Sequence, residues 1–418
     1  MKKSDQTGKF AAIAALFLSL AGCGGGGSGD GSSSSTPPAA APPSAPVLGT
    51  APTPTYADSV RTSAFETINA ERLKAGLGAL TQSTELDTSS TGLSNYILLN
   101  PTLAPSYVED EGNPGYVADS PLERDQFAGY NPSSYQEVFS DAMMVGTDSA
   151  QTTLATPYHR AYAMDYTMVQ MGFGFVPNSD GQGALVSDLA VPTGGTAQGM
   201  SSTVSVYPVD QATNVSVLMP NEAPAYSLAQ PWGTGSYPGY PVSVQLNKAA
   251  VWSTGTFTLK ETSSGASVAG TMMDNTSSSL LDFNIRNWAF FVPNAPLKPN
   301  TSYTASFAAT VDGGSFSKAW SFTTRPATVA ISNVPPAAVT AASGATVNVQ
   351  STSLIQTVNS VSLSTQCGSA QPSMVTSPGA VRIKLTGGAV SAGCEATVVV
   401  GDLAYPTESA SFTVDFTP

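Results

Sequence analysis

His159 is the only histidine in 418 residues, so any imidazole chemistry has to centre on it. It stands in Thr156-Pro157-Tyr158-His159-Arg160, just ahead of the run 168–176. In that run Val169, Met171, Phe173 and Phe175 alternate as one buried face of a β-strand. Oxygen chemistry has its densest source in Glu109, Asp110 and Glu111. Being consecutive, these three point in different directions and read first as a solvated loop, and only second as a calcium-like site. Zinc wants three or four nitrogen or sulfur ligands, and one imidazole with loop carboxylates falls short. Cys367 and Cys394 lie close together near the end of the chain and read as a disulfide worth roughly 3 kcal/mol in an oxidising compartment. Zinc is the alternative, but two cysteines without a nearby histidine make a poor site.

The elements that position these residues follow from pattern. Residues 57–76 read as a helix with Phe65, Ile68 and Leu73 in phase and Gly76 as its stop. A second helix is predicted over 85–99, a third over 135–145 carrying Val138, Phe139 and Met143, and a short fourth leads into Tyr158. Strands are predicted around 168–176 and 183–189. The layout of residues 57–200 is thus α+β.

Asn69-x-x-Arg72 with Gly76-Leu77 and Leu80 resembles the opening of CAP (SCP-like) domains, the family of cysteine-rich secretory proteins, antigen 5 and pathogenesis-related proteins. Gly112-Asn113-Pro114-Gly115-Tyr116, Arg124, Ala128-Gly129-Tyr130, Glu137, Pro157-Tyr158-His159-Arg160 and Gly172-x-Gly174 are similar to its bacterial branch. The resemblance implies an α+β three-layer α-β-α sandwich with a cleft where two histidines and two glutamates face each other and can hold a metal. His159 matches the second histidine and Glu137 one glutamate. The first histidine falls on Ser106 or Tyr107, and between Glu137 and His159 there is no second glutamate, only Asp141 and Asp148. The cleft implied here is lined by His159, Glu137, Tyr158, Arg160 and Tyr107.

With half of that ligand set lost, no metal and no cofactor is expected, and Glu137 with His159 reads as a hydrogen-bonded pair stiffening the cleft. A hydrolase is the competing reading, with Ser106 as nucleophile, His159 as base and Glu137 orienting it. No Gly-x-Ser-x-Gly elbow supports it, and serine is common throughout the chain.

Residues 1–22 carry Lys2, Lys3 and Lys9 ahead of an apolar run too short to span a bilayer. They end at Leu20-Ala21-Gly22-Cys23, which looks like a bacterial lipobox with Cys23 as the lipidated residue. Gly24 after the cysteine favours the outer membrane by analogy with Gram-negative sorting. Residues 23–56 are a Gly/Ser/Pro-rich tether. From 201 the pattern turns to short strands separated by turn residues. It predicts an immunoglobulin-like β-sandwich over 201–325, its tryptophans serving as core anchors, and a small β-domain over 326–418. No internal repeat is evident between the two. The net charge is −13, from 16 basic and 29 acidic residues, and no basic cluster follows residue 22, which excludes nucleic acid as a partner. The function these readings favour is a lipid-anchored envelope protein that binds a small ligand or a surface protein without turnover. The alternatives are an enzyme centred on His159 and Glu137, or a structural, adhesive surface protein.

Overall fold

The computed structural model describes residues 50–103, 109–139, 149–179, 181–200, 202–220, 237–353, 355–377 and 379–418. The head of the chain has two long helices, α1 (Ser59–Lys74) and α2 (Thr84–Leu99). Asp58 caps α1 and Ser83 caps α2, each accepting a hydrogen bond from a backbone N–H of the first turn. Three short helices follow, α3 (Pro121–Phe127), α4 (Ser149–Leu154) and α5 (Pro157–Ala163). One mixed sheet, in the order β1-β3-β4-β2, is formed by β1 (Thr81–Gln82), β2 (Pro132–Phe139), β3 (Gln170–Phe175) and β4 (Leu185–Pro192).

The three-layer α-β-α expectation is overturned. Strands make up 40% of the described residues and helices 18%, and the strands form five separate four-stranded sheets. The third long helix expected over 135–145 is, through Phe139, strand β2, paired antiparallel with β4. The apolar spacing of Val138, Phe139 and Met143 fits a helix, but Tyr135, Val138 and Phe139 are also strong strand formers, and the β4 edge decides between them. Nor does β3 bury a single face. Met171 to Gly174 are all buried, because α2 lies directly on the two glycines. A Cβ on Gly172 would sit 2.3 Å from the backbone of Leu86 and Asp87, and one on Gly174 would sit 2.1 Å from Ser90 C.

The Asn69 and Arg72 pair is architectural. Asn69 exchanges hydrogen bonds with the backbone of Leu80, and the buried Arg72 guanidinium donates to the carbonyls of Gly78, Ala163 and Asp165. Together they fix the turn after α1 against the turn after α5.

Two β-sandwiches follow. The first contains β5 (Val204–Tyr207), β6 (Ala212–Val215), β7 (Val242–Leu246), β8 (Trp252–Glu261), β9 (Gly270–Met273), β10 (Trp288–Pro293), β11 (Ser302–Val311) and β12 (Gly314–Thr324). Its sheets run β5-β7-β10-β9 and β6-β12-β11-β8. The second contains β13 (Ala330–Ser332), β14 (Val339–Thr340), β15 (Ala345–Gln350), β16 (Gln356–Leu363), β17 (Gln371–Ser377), β18 (Ala380–Thr386), β19 (Cys394–Asp402) and β20 (Ser409–Thr417). Its sheets run β13-β15-β18-β17 and β14-β20-β19-β16. Taken in chain order, the two topologies are identical. Both follow the immunoglobulin plan, with the first strand split so that its second half joins the opposite sheet. In each, that second half pairs parallel with the last strand, and the residue it meets there is a phenylalanine: Ala212 opposite Phe322, Val339 opposite Phe416.

The same phenylalanine marks a further equivalence. Tyr303 pairs with Phe322 across β11 and β12, and Cys394 pairs with Phe416 across β19 and β20. In the first sandwich the Tyr303 hydroxyl accepts a hydrogen bond from Lys298 N–H (2.9 Å), the tyrosine corner of immunoglobulin domains. In the second the corresponding position is tied by the Cys367–Cys394 disulfide. Replacing both cysteines with serine is expected to cost the second sandwich about 3–4 kcal/mol, given the 27-residue separation. Amide hydrogen exchange in that sandwich across a urea series checks this; an unchanged midpoint would refute it.

One contiguous apolar cluster runs from Phe65 and Leu154 in the head through Tyr240 and Phe290 to Phe322, so the head and first sandwich share a core. Trp252, Trp288 and Trp320 are buried within it, as core anchors should be, while Trp232 lies outside the described residues. The second sandwich has its own cluster around Val347, Val381, Val398 and Phe412.

Candidate functional site

A dense group of ionisable side chains in the head is assembled from five segments. Ser120 caps α3, with Pro121 in its first turn, and α3 directs Arg124 and Asp125 inward. Strand β2 contributes Glu137 directly opposite Asp188 of β4. The loop before α3 contributes Glu109, and α2 contributes Ser90.

Arg124 sits between two carboxylates, its Nη1 donating to Glu109 Oε2 and its Nη2 to Glu137 Oε2. Arg124 and Glu109 are almost fully buried, and the Glu137 side chain is 11% exposed. Ser90 Oγ donates to Asp188 Oδ2 (2.9 Å) and accepts from Asp188 N–H (3.1 Å). Burial pushes Glu109 and Glu137 above the ordinary carboxylate range, with the Arg124 charge pulling them back. Asp188 is pushed further up, by burial and by the adjacent Glu137 carboxylate. Burial, reinforced by Asp188, takes Asp125 up to about 7. Burial works against the Arg124 charge, but Glu137, Asp188 and Glu109 outweigh it and hold the guanidinium protonated. Several carboxyl groups surround one cation, so the group is balanced by retaining protons.

In that arrangement the carboxylates and the Ser90 hydroxyl are turned inward onto Arg124 and one another. Its pH dependence follows directly. A carboxyl whose folded pKa lies above its unfolded one favours the fold while protonated, and that contribution is lost as pH rises. For Asp125 the window runs from about 4 up to about 7. Asp125→Asn is therefore expected to raise stability by about 1–2 kcal/mol at pH 8 and to change it little at pH 4.5. Thermal melts across that range check it, and a variant with the wild-type pH slope would contradict the assignment.

The sequence-predicted residues are distributed otherwise than expected. Glu137 faces Arg124 and Asp188, while the described partner of His159 is the Thr156 hydroxyl, 3.1 Å from Nδ1. Tyr158 and Arg160, expected in an open cleft, are 4% and 0% exposed at the seam with the first sandwich. Tyr158 packs on Phe283 with ring centroids 4.9 Å apart. Arg160 donates to Leu154 O (2.6 Å), Pro241 O (2.8 Å) and Ser243 Oγ (3.1 Å), and lies over the rings of Tyr207 and Tyr240. Glu109 is buried on Arg124 rather than solvated, and only Asp110 and Glu111 fit the loop reading. Ser106, Tyr107, Asp141, Asp148 and Cys23 lie outside the described residues.

Asp188 and Asp125 escaped the sequence reading. The available signal was Asp188 itself, a carboxylate in the middle of the apolar run Leu185 to Val191. A cavity of about 480 Å³ lies elsewhere, between α1, α4 and the first sandwich, lined by Glu71, Gln151, Tyr207, Tyr240 and Arg325 among others. Its polar groups are joined to one another: Tyr207 donates to Glu71 (3.1 Å), and Arg325 Nη2 to Gln151 Oε1 (2.7 Å). Among the described residues no cluster of three or more His, Cys, Asp or Glu is arranged to hold a metal ion, and no helix is long and apolar enough to cross a membrane.

No protein-family model and no curated protein matches the sequence. Among solved structures, an outer surface protein from Borrelia burgdorferi aligns over 31% of this chain and 89% of its own, at 14% identity and a TM-score of 0.25. A titin structure aligns over 52% of this chain and 100% of its own, at 10% identity and a TM-score of 0.18. The extracellular cadherin domains 1–4 of protocadherin gamma B7 align over 68% of this chain and 67% of their own, at 10% identity and a TM-score of 0.16. TM-scores this low define no shared fold.

Proposed function

We propose that this chain is a structural, adhesive protein of the bacterial surface, held to the outer membrane by lipid on Cys23, with the tandem sandwiches as its working part. The supporting observation is the repetition of one eight-strand order, in modules whose described residues include no cluster of three or more His, Cys, Asp or Glu arranged to hold a metal ion. The head adds to this reading by what its polar residues do. Arg160 and Tyr158 join it to the first sandwich, and Arg124 gathers its carboxylates into the interior. The partner of such a protein is another surface protein or a small surface ligand, and the membrane is contacted through the acyl chains.

The test is adhesion under flow by Gram-negative cells displaying the full chain from its own lipobox, compared with cells displaying a chain that ends at Arg325. The shared core makes this the right truncation, since removing 201–418 would strip the head of half its apolar cluster. Retention and cell–cell aggregation are expected to fall with the truncation, while His159→Ala leaves both unchanged. Equal retention by cells with and without the protein would sink the reading.

A further inference from the structure

The parallel pairing that closes each sandwich has a directional property. In a parallel pair the start of one strand and the end of the other lie at opposite ends of the ladder. Tension applied between them slides the strands along each other and loads every bridging bond together. An antiparallel neighbour pulled from one end releases its bonds one at a time. Both geometries occur here. β5 and β13, which enter each sandwich, are antiparallel to β7 and β15. β6 and β14, which follow them, are parallel to the exit strands β12 and β20.

We propose that the two sandwiches are load-bearing modules, in which β6–β12 and β14–β20 act as shear clamps between the chain's anchored and free ends. The proposal rests on the surface-tether reading for its biological setting, but its mechanics belong to the fold alone. Bonds outside the strand cores lengthen each clamp. In the first sandwich Gln211 N–H donates to Ser321 O (2.7 Å), Ser321 N–H to Asp210 Oδ1 (2.9 Å), and Arg325 N–H to Val215 O (2.8 Å). In the second, Ala341 N–H donates to Thr417 O (2.9 Å). Arg325 then passes load across the junction, with Nε on Asn214 O (2.9 Å) in the first sandwich and Nη1 on Ser351 O (3.1 Å) in the second. The Tyr405 hydroxyl adds a second link to Leu297 O (2.5 Å).

The disulfide makes the two modules distinguishable in one pulling trace. Release of the first clamp frees the chain from Ala212 to Thr324, about 400 Å at full extension. Release of the second frees Val339 to Thr417 less the loop closed by Cys367 and Cys394, about 180 Å when oxidised, and roughly 95 Å more when reduced.

The experiment is single-molecule force spectroscopy on the full chain, held at a handle before residue 50 and at the C-terminus. Two discrete ruptures with these increments are expected beside the extension released by the head, the shorter one lengthening under reductant. Ala341→Pro, which deletes the clamp donor of the second sandwich, is expected to lower the force of the shorter event by about half and leave the longer one unchanged. Asp210→Ala, at a solvent-facing side chain, is expected to do the reverse. Wild-type forces in both variants would overturn the proposal, as would extension of the oxidised chain without discrete peaks. Because purified protein is pulled, a failed adhesion assay leaves these outcomes unaffected, and a failed clamp leaves adhesion standing.

Discussion

Gly174→Val is expected to destabilise the head by about 3 kcal/mol or more, the largest effect of any single side-chain addition in this part of the chain. The reason is what lies within reach. The nearest neighbours of a Cβ there are Ser90 C at 2.1 Å, Ser90 O at 2.2 Å and Thr91 N at 2.3 Å. These are backbone atoms in the middle of α2, and no rotamer change moves them. The helix would have to lift from β3, breaking the seat that Ser90 makes on Asp188 and Gly172 and the one Ser94 makes on Ala184. Gly314→Ala is the matching control, since its nearest neighbour is Val311 O at 3.5 Å and its backbone is not left-handed. Chemical denaturation of both variants checks the contrast, and equal midpoints would show that α2 does not rest on β3 as described.

Arg124→Met should cost about 3–5 kcal/mol at pH 8, because it leaves Glu109 and Glu137 buried without their cation. The loss should shrink in acid. Both carboxyls already titrate above their ordinary range, so protonation is the fold's easier way to neutralise them. Their contribution to stability is greatest below about pH 4 and is lost as pH rises through the folded values. Without Arg124 those values move higher still, and the variant's stability should decline more steeply between about pH 5 and 8 than the wild type's. Parallel melts at the two ends decide the matter: a pH-independent loss would assign the effect to packing of the arginine stem instead.

Local periodicity carried far in this chain. The first helix was legible over 57–76 and forms over Ser59–Lys74; the second was legible over 85–99 and forms over Thr84–Leu99. The disulfide and the immunoglobulin-like strands of the C-terminal half were equally plain. What failed was the choice between periods where both fit. Val138, Phe139 and Met143 satisfy a helix, and only the partner strand β4, far away in sequence, makes residues 132–139 a strand. What sets the structure apart from the three-layer expectation is the weight of strand over helix and its division among several small sheets.

The site was less legible than the fold, for a physical reason. Arginine and tyrosine beside a lone histidine look like recognition chemistry, yet Arg160 is engaged by carbonyls and rings of the next module. Nothing local to Thr156–Arg160 announces that a sandwich begun some way down the chain will cover it. The shared strand order was hidden in the same way. The two sandwiches order their strands alike, but equivalent positions hold different residues, Tyr303 in one and Cys394 in the other.

That last exchange divides the chain's maturation into two stages. The corner of the first sandwich closes with a hydroxyl, and needs nothing but the chain itself. The corner of the second closes only when an acceptor removes two electrons and two protons from a pair of thiols. A newly made molecule can therefore hold a finished proximal module beside an unfinished distal one. That oxidation is a step only the second sandwich awaits.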